Sequence, residues 1–274
     1  MLTAPGMTVP EFRNRKGAGP PLVVLTAYDA VTAEVAETAG VDALLVGDSL
    51  GNVLLGYDST MSVQMDEMVH HARAVGRTRS RALLIVDMPW MSYHLGEHDA
   101  VSNAARFVRE AGADAVKLEG GAKRVAVIRA ILDAEIPVMG HLGLTPQSRL
   151  AMGGYRVQGR DEEAADSLLR DALQLAEAGV FGIVLEGIPG DLAARVTAEV
   201  GVPTIGIGAG SACDGQVLVF HDLLGMLSGS SPKFVRRYAE IRERQVEAVR
   251  RWAADVRDKT FPSVEETYAR ARVR

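Results

Sequence analysis

Three stretches of the chain share one pattern: VAETAGVDALLVGD (35–48), VREAGADAVKLEG (108–120) and LAEAGVFGIVLEG (175–187). Each stretch contains the end of an amphipathic helix, then a glycine, then a short apolar run that ends on an acid. The glycines are Gly40, Gly112 and Gly179. A glycine just past the last helical turn supplies a left-handed C-cap, which turns the chain back toward a sheet. Repeated units of this kind predict a right-handed array of parallel strands with helices between them.

Eight apolar runs fit buried strands, and they alternate with helical stretches. They are LVVLTAY (22–28), ALLVGD (43–48), ALLIVD (82–87), AVKLE (115–119), IPVMGH (136–141), GIVLE (182–186), PTIGIG (203–208) and QVLVFHD (216–222). A closed (β/α)8 barrel, the TIM barrel, needs eight strands and has about the length of this chain. A doubly wound open sheet is the alternative, but no glycine-rich dinucleotide fingerprint follows the first run. We therefore predict the α/β class and a (β/α)8 TIM barrel.

The chain is predicted to form one domain, 1–274, with the barrel core over about residues 22–225. No linker rich in proline, serine or charge interrupts that core. Residues 1–20 are expected to form a short helix or arm. A highly charged amphipathic helix is predicted over 233–258, within a helical tail that covers about 233–274.

Charge and cysteine content limit the partners and the compartment. The formal net charge is −5 and no basic run occurs, which argues against nucleic acid or an anionic membrane as the main partner. The single cysteine, Cys213, has no partner for an internal disulfide. No uncharged apolar stretch is long enough to span a bilayer. We therefore expect a soluble, cytoplasmic protein that acts on small molecules.

Polar residues end five of the apolar runs, each with a glycine, serine or proline within two positions. They are Asp48, Asp87, Lys117 with Glu119, His141 and Glu186. The carboxyl ends of parallel strands meet at one edge of the sheet, where α/β enzymes keep their active sites. Three carboxylates at one barrel mouth repel each other, and a hard cation such as Mg²⁺ relieves that repulsion. Asp48, Asp87 and Glu119 are therefore candidate ligands for a metal ion.

Lys117 and Glu119 lie two residues apart on one strand, so their side chains share the inward face of a barrel. One interpretation is an ion pair between them that fills a core layer. The other is a lysine held for a substrate carboxylate, or one that acts as a Schiff-base nucleophile. Neighbouring acids favour the charged amine, and this favours carboxylate binding over nucleophilic attack.

Two further residues have positions suited to proton transfer. His141 follows a strand and precedes a glycine-containing loop, where it is a candidate hydrogen-bond donor to a substrate oxygen or a proton carrier. Glu186 lies in an apolar stretch that should raise its pKa, and this makes it a usable general base near neutral pH.

Eight segments within about residues 22–225 are long and specific: LTAYD, LLVGDSLGNVLLGYDST, VDMPWMSY, VKLEGG, VMGHLGLTPQS, GGYRVQGR, VLEGIP and GIGAGSACDGQVLVFHD. Together they resemble the ketopantoate hydroxymethyltransferase (3-methyl-2-oxobutanoate hydroxymethyltransferase) family. The resemblance implies a barrel that transfers a hydroxymethyl group from the co-substrate 5,10-methylenetetrahydrofolate to 3-methyl-2-oxobutanoate. The product is 2-dehydropantoate (ketopantoate) in pantothenate biosynthesis, formed through a Mg²⁺-stabilised enolate. The resemblance further implies one Mg²⁺ per subunit and a homodecamer of two stacked pentamers.

The resemblance also implies a role for each matching residue. The implied metal ligands are Asp48, Asp87 and Glu119. The implied contacts to the 2-oxo acid are Asp48, Ser49, Asp87, Lys117 and His141. Glu186 matches the residue that accepts the proton. All these positions hold the residue that the family pattern requires.

Two other functions are alternatives. Barrel lyases of the isocitrate lyase and phosphoenolpyruvate mutase type also stabilise the enolate of a 2-oxo acid on Mg²⁺. They use a catalytic cysteine on a mobile loop, whereas Cys213 lies in the glycine-rich seventh loop, and this disfavours them. A barrel that serves only as an assembly subunit would not need so many polar residues at one rim.

Overall fold

A computed structural model describes residues 6–229 and 231–269. The chain divides into two compact units, one that ends at Phe220 and one that begins at His221. The first unit contains a closed barrel whose strands follow chain order, and neighbouring strands are parallel throughout. Pairing of the first strand with the eighth closes the barrel. The predicted TIM barrel is confirmed.

All eight predicted runs contain a strand; two of the strands have the predicted bounds, and the other six have shifted ends. The strands are β1 (Leu22–Thr26), β2 (Ala43–Val46), β3 (Leu83–Asp87), β4 (Ala115–Glu119), β5 (Val138–Gly143), β6 (Gly182–Glu186), β7 (Thr204–Ile207) and β8 (Gly215–Leu218). The largest difference is in β8, which was predicted over 216–222. The amide of Phe220 donates to Oγ1 of Thr26 (2.9 Å), and the chain turns into a short helix there.

Helices fill the connections between the strands. They are α1 (Val9–Arg13), α2 (Ala30–Ala39), α3 (Leu50–Val53), α4 (Met65–Thr78), α5 (Glu97–Ala111), α6 (Val125–Asp133), α7 (Arg149–Met152), α8 (Glu162–Ala178), α9 (Gly190–Glu199) and α10 (Phe220–Leu223). The predicted left-handed caps are present, because Gly40, Gly112 and Gly179 follow α2, α5 and α8 with φ of 80°, 67° and 106°. A side chain in this conformation is strained, which explains the glycine in each repeat.

Alternate strand residues pack together inside the barrel. The buried cluster includes Ala115 of β4 and Met139 of β5. The same alternation continues toward the carboxyl ends, so Lys117 and Glu119 follow Ala115 on the inner face, and His141 follows Met139. The apolar layers therefore form a floor beneath the charged residues.

The N-terminal arm packs against this floor from the other end of the barrel. Phe12 on α1 is fully buried in the interior cluster. Its ring meets the edge of Phe181, which precedes β6, with the centroids 5.5 Å apart. The arm predicted over residues 1–20 thus contributes a core side chain that closes the amino end of the barrel.

The second unit contains α11 (Ile241–Arg257), which begins eight residues later than the predicted 233–258 helix. The amides of Tyr238 and Ile241 donate to the carbonyls of Leu223 and Leu224, so the segment before α11 is held by the preceding chain and not by helical bonds. The bounds predicted for a single domain stay a prediction. No helix in the described ranges is long and apolar enough to cross a membrane.

Candidate active site

Six of the predicted site residues meet at the carboxyl ends of β2 to β6. Asp48, Asp87, Lys117, Glu119 and His141 are each at most 4% exposed, and the Glu186 side chain is 16% exposed. Strand register explains the meeting, because Asp87 lies beside Lys117 and Glu119 lies beside His141 across neighbouring parallel strands. The structure therefore gathers charges that are up to 138 residues apart along the chain, from Asp48 to Glu186.

Lys117 is the cation of this cluster. Its Nζ lies 2.8 Å from Oδ1 of Asp87 and 3.0 Å from Nδ1 of His141. The ion pair anticipated with Glu119 is thus formed with Asp87 instead. Burial lowers the pKa of Lys117, but Asp87, Glu119 and Asp48 together outweigh it and the pKa is raised. A permanently charged amine suits carboxylate binding and not Schiff-base formation.

His141 is neutral and has a defined tautomer. Burial, followed by the nearby Lys117 charge, holds the pKa of His141 well below its usual value. Because an ammonium group only donates hydrogen bonds, Nδ1 of His141 accepts from Lys117 and the ring proton lies on Nε2. Nε2 is buried 3.3 Å from Oε2 of Glu186, and no acceptor in the described ranges meets it at hydrogen-bonding angles. His141 therefore has an N–H group available to a ligand.

Glu186 ends β6 on the far side of His141 from Lys117. Burial raises the pKa of Glu186 to about 7, and the Lys117 charge opposes this rise. This upward shift of the pKa agrees with the apolar sequence around Glu186. A carboxylate with a pKa near neutrality holds a transferred proton well, and it is about half ionised at pH 7 and largely ionised at pH 8.

Asp48 and Asp87 form a pair of close carboxylates. The amide of Asp48 donates to Oδ2 of Asp87 (3.1 Å), and burial, then the Asp87 charge, raises the pKa of Asp48 to about 7. A Cβ on Gly47 would lie 2.8 Å from Oγ of Ser49 and 3.4 Å from Oδ2 of Asp87, so glycine is needed for this approach. In the described chain, no donor meets Oδ1 of Asp87 at hydrogen-bonding angles.

These donors fit a hard divalent cation. Mg²⁺ prefers oxygen ligands and is usually held by one or two carboxylates with several waters. Within 6–229 and 231–269, no three His, Cys, Asp or Glu side chains form a ready-made metal cluster. Glu119 accepts from the amide of Gln147 at Oε2 (3.0 Å), whereas its Oε1 lies 3.6 Å from Nδ1 of His141, which carries no proton to donate. Asp48, Asp87 and Glu119 are therefore all candidate ligands.

Comparison with known proteins gives the family. Residues 6–264 match the family described as ketopantoate hydroxymethyltransferase. The chain belongs to the ketopantoate hydroxymethyltransferase family. It is 55% identical over 262 residues to 3-methyl-2-oxobutanoate hydroxymethyltransferase 2 of Bradyrhizobium diazoefficiens, covering 96% of this chain and 89% of that one. It is 52% identical to the enzyme of the same name from Moorella thermoacetica, covering 96% and 97% of the two chains. The resemblance stated from the sequence is confirmed, and the chain is a member of a transferase family.

Solved structures share the fold at low sequence identity. Phosphonopyruvate hydrolase in complex with oxalate and Mg²⁺ aligns with a TM-score of 0.60 and 17% identity, covering 95% of this chain and 93% of that one. 2,3-Dimethylmalate lyase, of the phosphoenolpyruvate mutase and isocitrate lyase superfamily, aligns with a TM-score of 0.59 and 18% identity, covering 96% and 89%. These likenesses show that this chain shares the fold of the enzymes considered as the alternative.

Ser49 lies beside the Asp48 and Asp87 pair, as the sequence predicts. Its Oγ is 2.8 Å from the hydroxyl of Tyr28, which is fully buried at the end of β1. Burial raises the pKa of Tyr28, so its hydroxyl stays protonated and orients Ser49 at all ordinary pH values.

Two residues of the site were not predicted as site residues from the sequence. Gln147 lies in the turn after β5 and Tyr93 in the loop after β3, and both are buried beside Asp48 and Glu119. Neither has a charge or a metal-ligand pattern that distinguishes it in sequence. Each lies in one of the segments on which the resemblance to the family rests, VDMPWMSY and VMGHLGLTPQS.

Proposed function

We propose that the protein transfers a hydroxymethyl group from 5,10-methylenetetrahydrofolate to 3-methyl-2-oxobutanoate, giving 2-dehydropantoate and tetrahydrofolate in pantothenate biosynthesis. The observation that carries this proposal is the row Lys117, His141, Glu186: a fixed cation, a neutral N–H donor and a carboxyl group of raised pKa side by side. A 2-oxo acid needs the first two groups for its oxygens and the third for its C3 proton. Membership of the transferase family supports the assignment.

Substrate binding follows from the charges. Lys117 supplies positive charge to the 2-oxo acid, and Ser49 adds a hydroxyl held by Tyr28. The Nε2 proton of His141 is directed away from Lys117, toward the side of Glu186, where it donates to a substrate oxygen. Asp48 and Asp87 complete the substrate contacts.

The same acids would hold the metal ion, one Mg²⁺ per subunit. Asp48 and Asp87 would bind it, and Glu119, whose Oε2 accepts from the amide of Gln147, would be the third acid of the set. When bound, Mg²⁺ supplies positive charge beside the carboxylate and keto oxygens, which increases the acidity of the neighbouring C–H bond.

Glu186 is the proposed base. Its carboxylate takes the proton from C3, and the electron pair of that C–H bond moves toward the keto oxygen, where Lys117 and His141 stabilise the negative charge. Water adds to the methylene carbon of the folate and both C–N bonds of that carbon break, while the two hydrogens of the water restore the two N–H bonds, which gives tetrahydrofolate and formaldehyde in the site. C3 then forms a bond to the formaldehyde carbon, its C=O π bond opens to an alkoxide, and the alkoxide takes the proton that Glu186 holds, which gives the hydroxymethyl group of 2-dehydropantoate.

The lyase alternative is less well supported by the residues. Cys213 is the single cysteine, it is 8% exposed, and burial raises the pKa of its thiol. A buried thiol of raised pKa is poorly suited to proton transfer on a mobile loop. The low-identity solved structures share only the fold with this chain.

We further propose a cytoplasmic homodecamer in which each barrel holds a complete active site. The apolar side chains of α11 support a role for the second unit in assembly: Val249, Trp252 and Val256 are 60%, 54% and 43% exposed and lie at helical spacing. Apolar groups at such spacing on an exposed helix are typical of a contact surface.

Deuterium exchange and product analysis test the proposal together. With wild-type protein and Mg²⁺, 3-methyl-2-oxobutanoate in deuterated water should lose its C3 proton signal in NMR, and EDTA should stop the loss. 2-Dehydropantoate should form only when 5,10-methylenetetrahydrofolate is added. A folded protein that gives neither exchange nor product, or that cleaves a 2-oxo acid without folate, would contradict the assignment.

A further inference from the structure

Gln147 is a buried neutral residue in the middle of the acidic cluster, 5% exposed, in the turn Pro146–Ser148 after β5. We propose that Gln147 is a positioning residue, which fixes one oxygen of Asp48 so that the other is presented to the metal ion and the 2-oxo acid. This inference rests on the proposed function, in which Asp48 holds both. Gln147 would act through Asp48 and would not itself touch the substrate.

The side-chain amide of Gln147 is fully engaged. Its Nε2 donates to Oδ2 of Asp48 (2.8 Å) and to the carbonyl of Met88 (3.0 Å), which uses both amide hydrogens. Its Oε1 accepts from the hydroxyl of Tyr93 (2.5 Å). Two acceptors on one side and a hydroxyl donor on the other fix the orientation of the amide. Turning it would place a carbonyl oxygen against a carboxylate, which is unfavourable in a buried site.

Hydrogen bonds from backbone amides also connect Gln147 and Tyr93 to Glu119. The amide of Glu119 donates to the Tyr93 hydroxyl (3.3 Å), and the amide of Gln147 donates to Oε2 of Glu119 (3.0 Å). Gln147 therefore bonds to two of the three acids proposed for the metal. The turn after β5 holds the acids of β2 and β4 in one arrangement before a ligand binds.

The two carboxylate oxygens of Asp48 therefore differ in their hydrogen bonds. Its Oδ2 is held by Gln147, whereas its Oδ1 receives no hydrogen bond from the described residues. A hydrogen bond to an ionised acceptor is stronger than one between neutral groups, so Gln147 stabilises the ionised form without adding charge to a crowded acidic site. A carboxylate set in this way loses little rotational freedom when it binds a cation.

Calorimetric titration of Mg²⁺ in the presence of 3-methyl-2-oxobutanoate tests this role. Gln147→Met keeps the length of the side chain and removes all three side-chain hydrogen bonds. Groups that orient a metal ligand are worth about 10- to 100-fold in metal affinity, so we expect the Mg²⁺ Kd to rise by about tenfold or more. The 2-oxo acid KM should rise with it, whereas kcat should recover at saturating Mg²⁺.

Asn103→Leu is the matched control. Asn103 also donates a side-chain amide hydrogen to a backbone carbonyl, that of Ser92 (2.7 Å), but has no contact with Asp48. This variant should lower Tm and leave the Mg²⁺ Kd within about twofold, since it removes one ordinary hydrogen bond away from the ligand. Tyr93→Phe removes the bond that orients the Gln147 amide and the one that the Glu119 amide donates to the hydroxyl, but leaves the bond from Gln147 to Asp48, so a smaller rise in the Mg²⁺ Kd is expected.

The outcomes separate the two proposals. A wild-type protein that binds neither Mg²⁺ nor the 2-oxo acid overturns the proposed function and this inference with it. If the wild type binds both ligands and folded Gln147→Met has an unchanged Mg²⁺ Kd, the role of Gln147 is overturned and the proposed function is not. If Gln147→Met does not fold, Tyr93→Phe decides, and an unchanged Mg²⁺ Kd there overturns the inference.

Discussion

Nδ1 of His141 lies 3.0 Å from the ammonium nitrogen of Lys117. This contact determines which ring nitrogen carries the proton, because the lysine can only donate. The imidazole therefore presents N–H to the side of Glu186 and has no free lone pair there. A histidine held in this way donates to a substrate oxygen, and the role of base falls to the carboxylate.

Glu186→Gln should abolish proton abstraction and keep ligand binding. The amide cannot accept the C3 proton, whereas Asp48 and Asp87, which are proposed to hold the metal ion and the 2-oxo acid, lie at the ends of different strands. We expect exchange of the C3 hydrogen with deuterated water to fall by at least about 10²-fold, the usual value of a general base. The calorimetric Kd of the 2-oxo acid with Mg²⁺ should change little. Exchange at the wild-type rate would disprove the assignment.

The pH dependence of kcat/KM should show an acidic limb near pH 7. Burial raises the pKa of Glu186 to about 7, and only the ionised carboxylate accepts a proton, so activity rises as pH increases through that value. Rates of C3 exchange measured from pH 5.5 to 8.5 give the midpoint. A limb centred near the ordinary pKa of glutamate, about 4.3, would show that Glu186 is not the base.

The raised pKa of Glu186 also makes the stability of the folded protein depend on pH. Because the pKa of Glu186 is higher in the folded protein than in the unfolded chain, its contribution to stability is present below pH 4.5 and is lost as pH rises through 7. Metal-free Glu186→Gln should therefore gain stability relative to the wild type between pH 4 and pH 8, by about 3 kcal/mol in the free energy of unfolding. Urea denaturation at both pH values measures this gain. A constant difference between the two proteins would argue against the shift.

Asp48→Asn and Asp87→Asn should each weaken Mg²⁺ and 2-oxo acid binding together. Each change removes one negative charge from the proposed metal ligands while keeping the side-chain shape. Titration of the 2-oxo acid with and without Mg²⁺ should show that the metal-dependent gain in affinity is lost. Asp66→Asn is the control, because Asp66 is an exposed acid, 88% accessible at its side chain. Retained metal-dependent binding in both site variants would make these acids structural.

Phe12→Ala should destabilise the barrel without affecting chemistry. The ring is fully buried against Phe181, and removal of a buried phenylalanine costs about 3 to 5 kcal/mol. Urea denaturation should show this loss, whereas kcat at 25 °C should stay within about twofold of the wild type, because the residue lies at the opposite end of the barrel from Glu186. Val23→Ala, at a position 51% exposed, should cost much less. Equal costs would show that the arm does not contribute to the core.

Light scattering should give the mass of a decamer of the 29.3 kDa chain. Trp252→Ala removes the largest exposed apolar side chain of α11 and should shift the mass toward smaller species at micromolar concentration. Glu247→Gln on the same helix is the matched control. A wild-type monomer with full activity would contradict the assembly and leave the catalytic proposal intact.

The repeat of helix, glycine and acid-ended strand made the barrel predictable, because local turn chemistry and strand burial point to the same fold. The inward direction of Lys117 and Glu119 followed from strand alternation alone. The ion-pair partner of Lys117 could not be predicted in this way, because it depends on the register between β3 and β4. That register brings Asp87 beside Lys117. Periodicity within one strand carries no information on that register.

Gln147 and the start of α11 show a second limit. A glutamine in a loop has no charge pattern, and its role depends on contacts with Asp48 and Tyr93 that are distant in sequence. The apolar spacing before Ile241 fits a helix, but the backbone there bonds to residues 223–225 instead. In both cases a tertiary contact outweighs the local pattern.

Phe12 closes the amino end of the barrel in the described part of the chain, so the two proposed reactants would enter from the carboxyl end. The groups proposed for the 2-oxo acid, Lys117 and His141, are only 4% and 3% exposed, at the bottom of that entrance. The smaller acid therefore has to arrive before the bulky folate covers it, and tetrahydrofolate has to depart before the product can follow. Steady-state kinetics should be compulsory-ordered, with 2-dehydropantoate competing against 3-methyl-2-oxobutanoate alone.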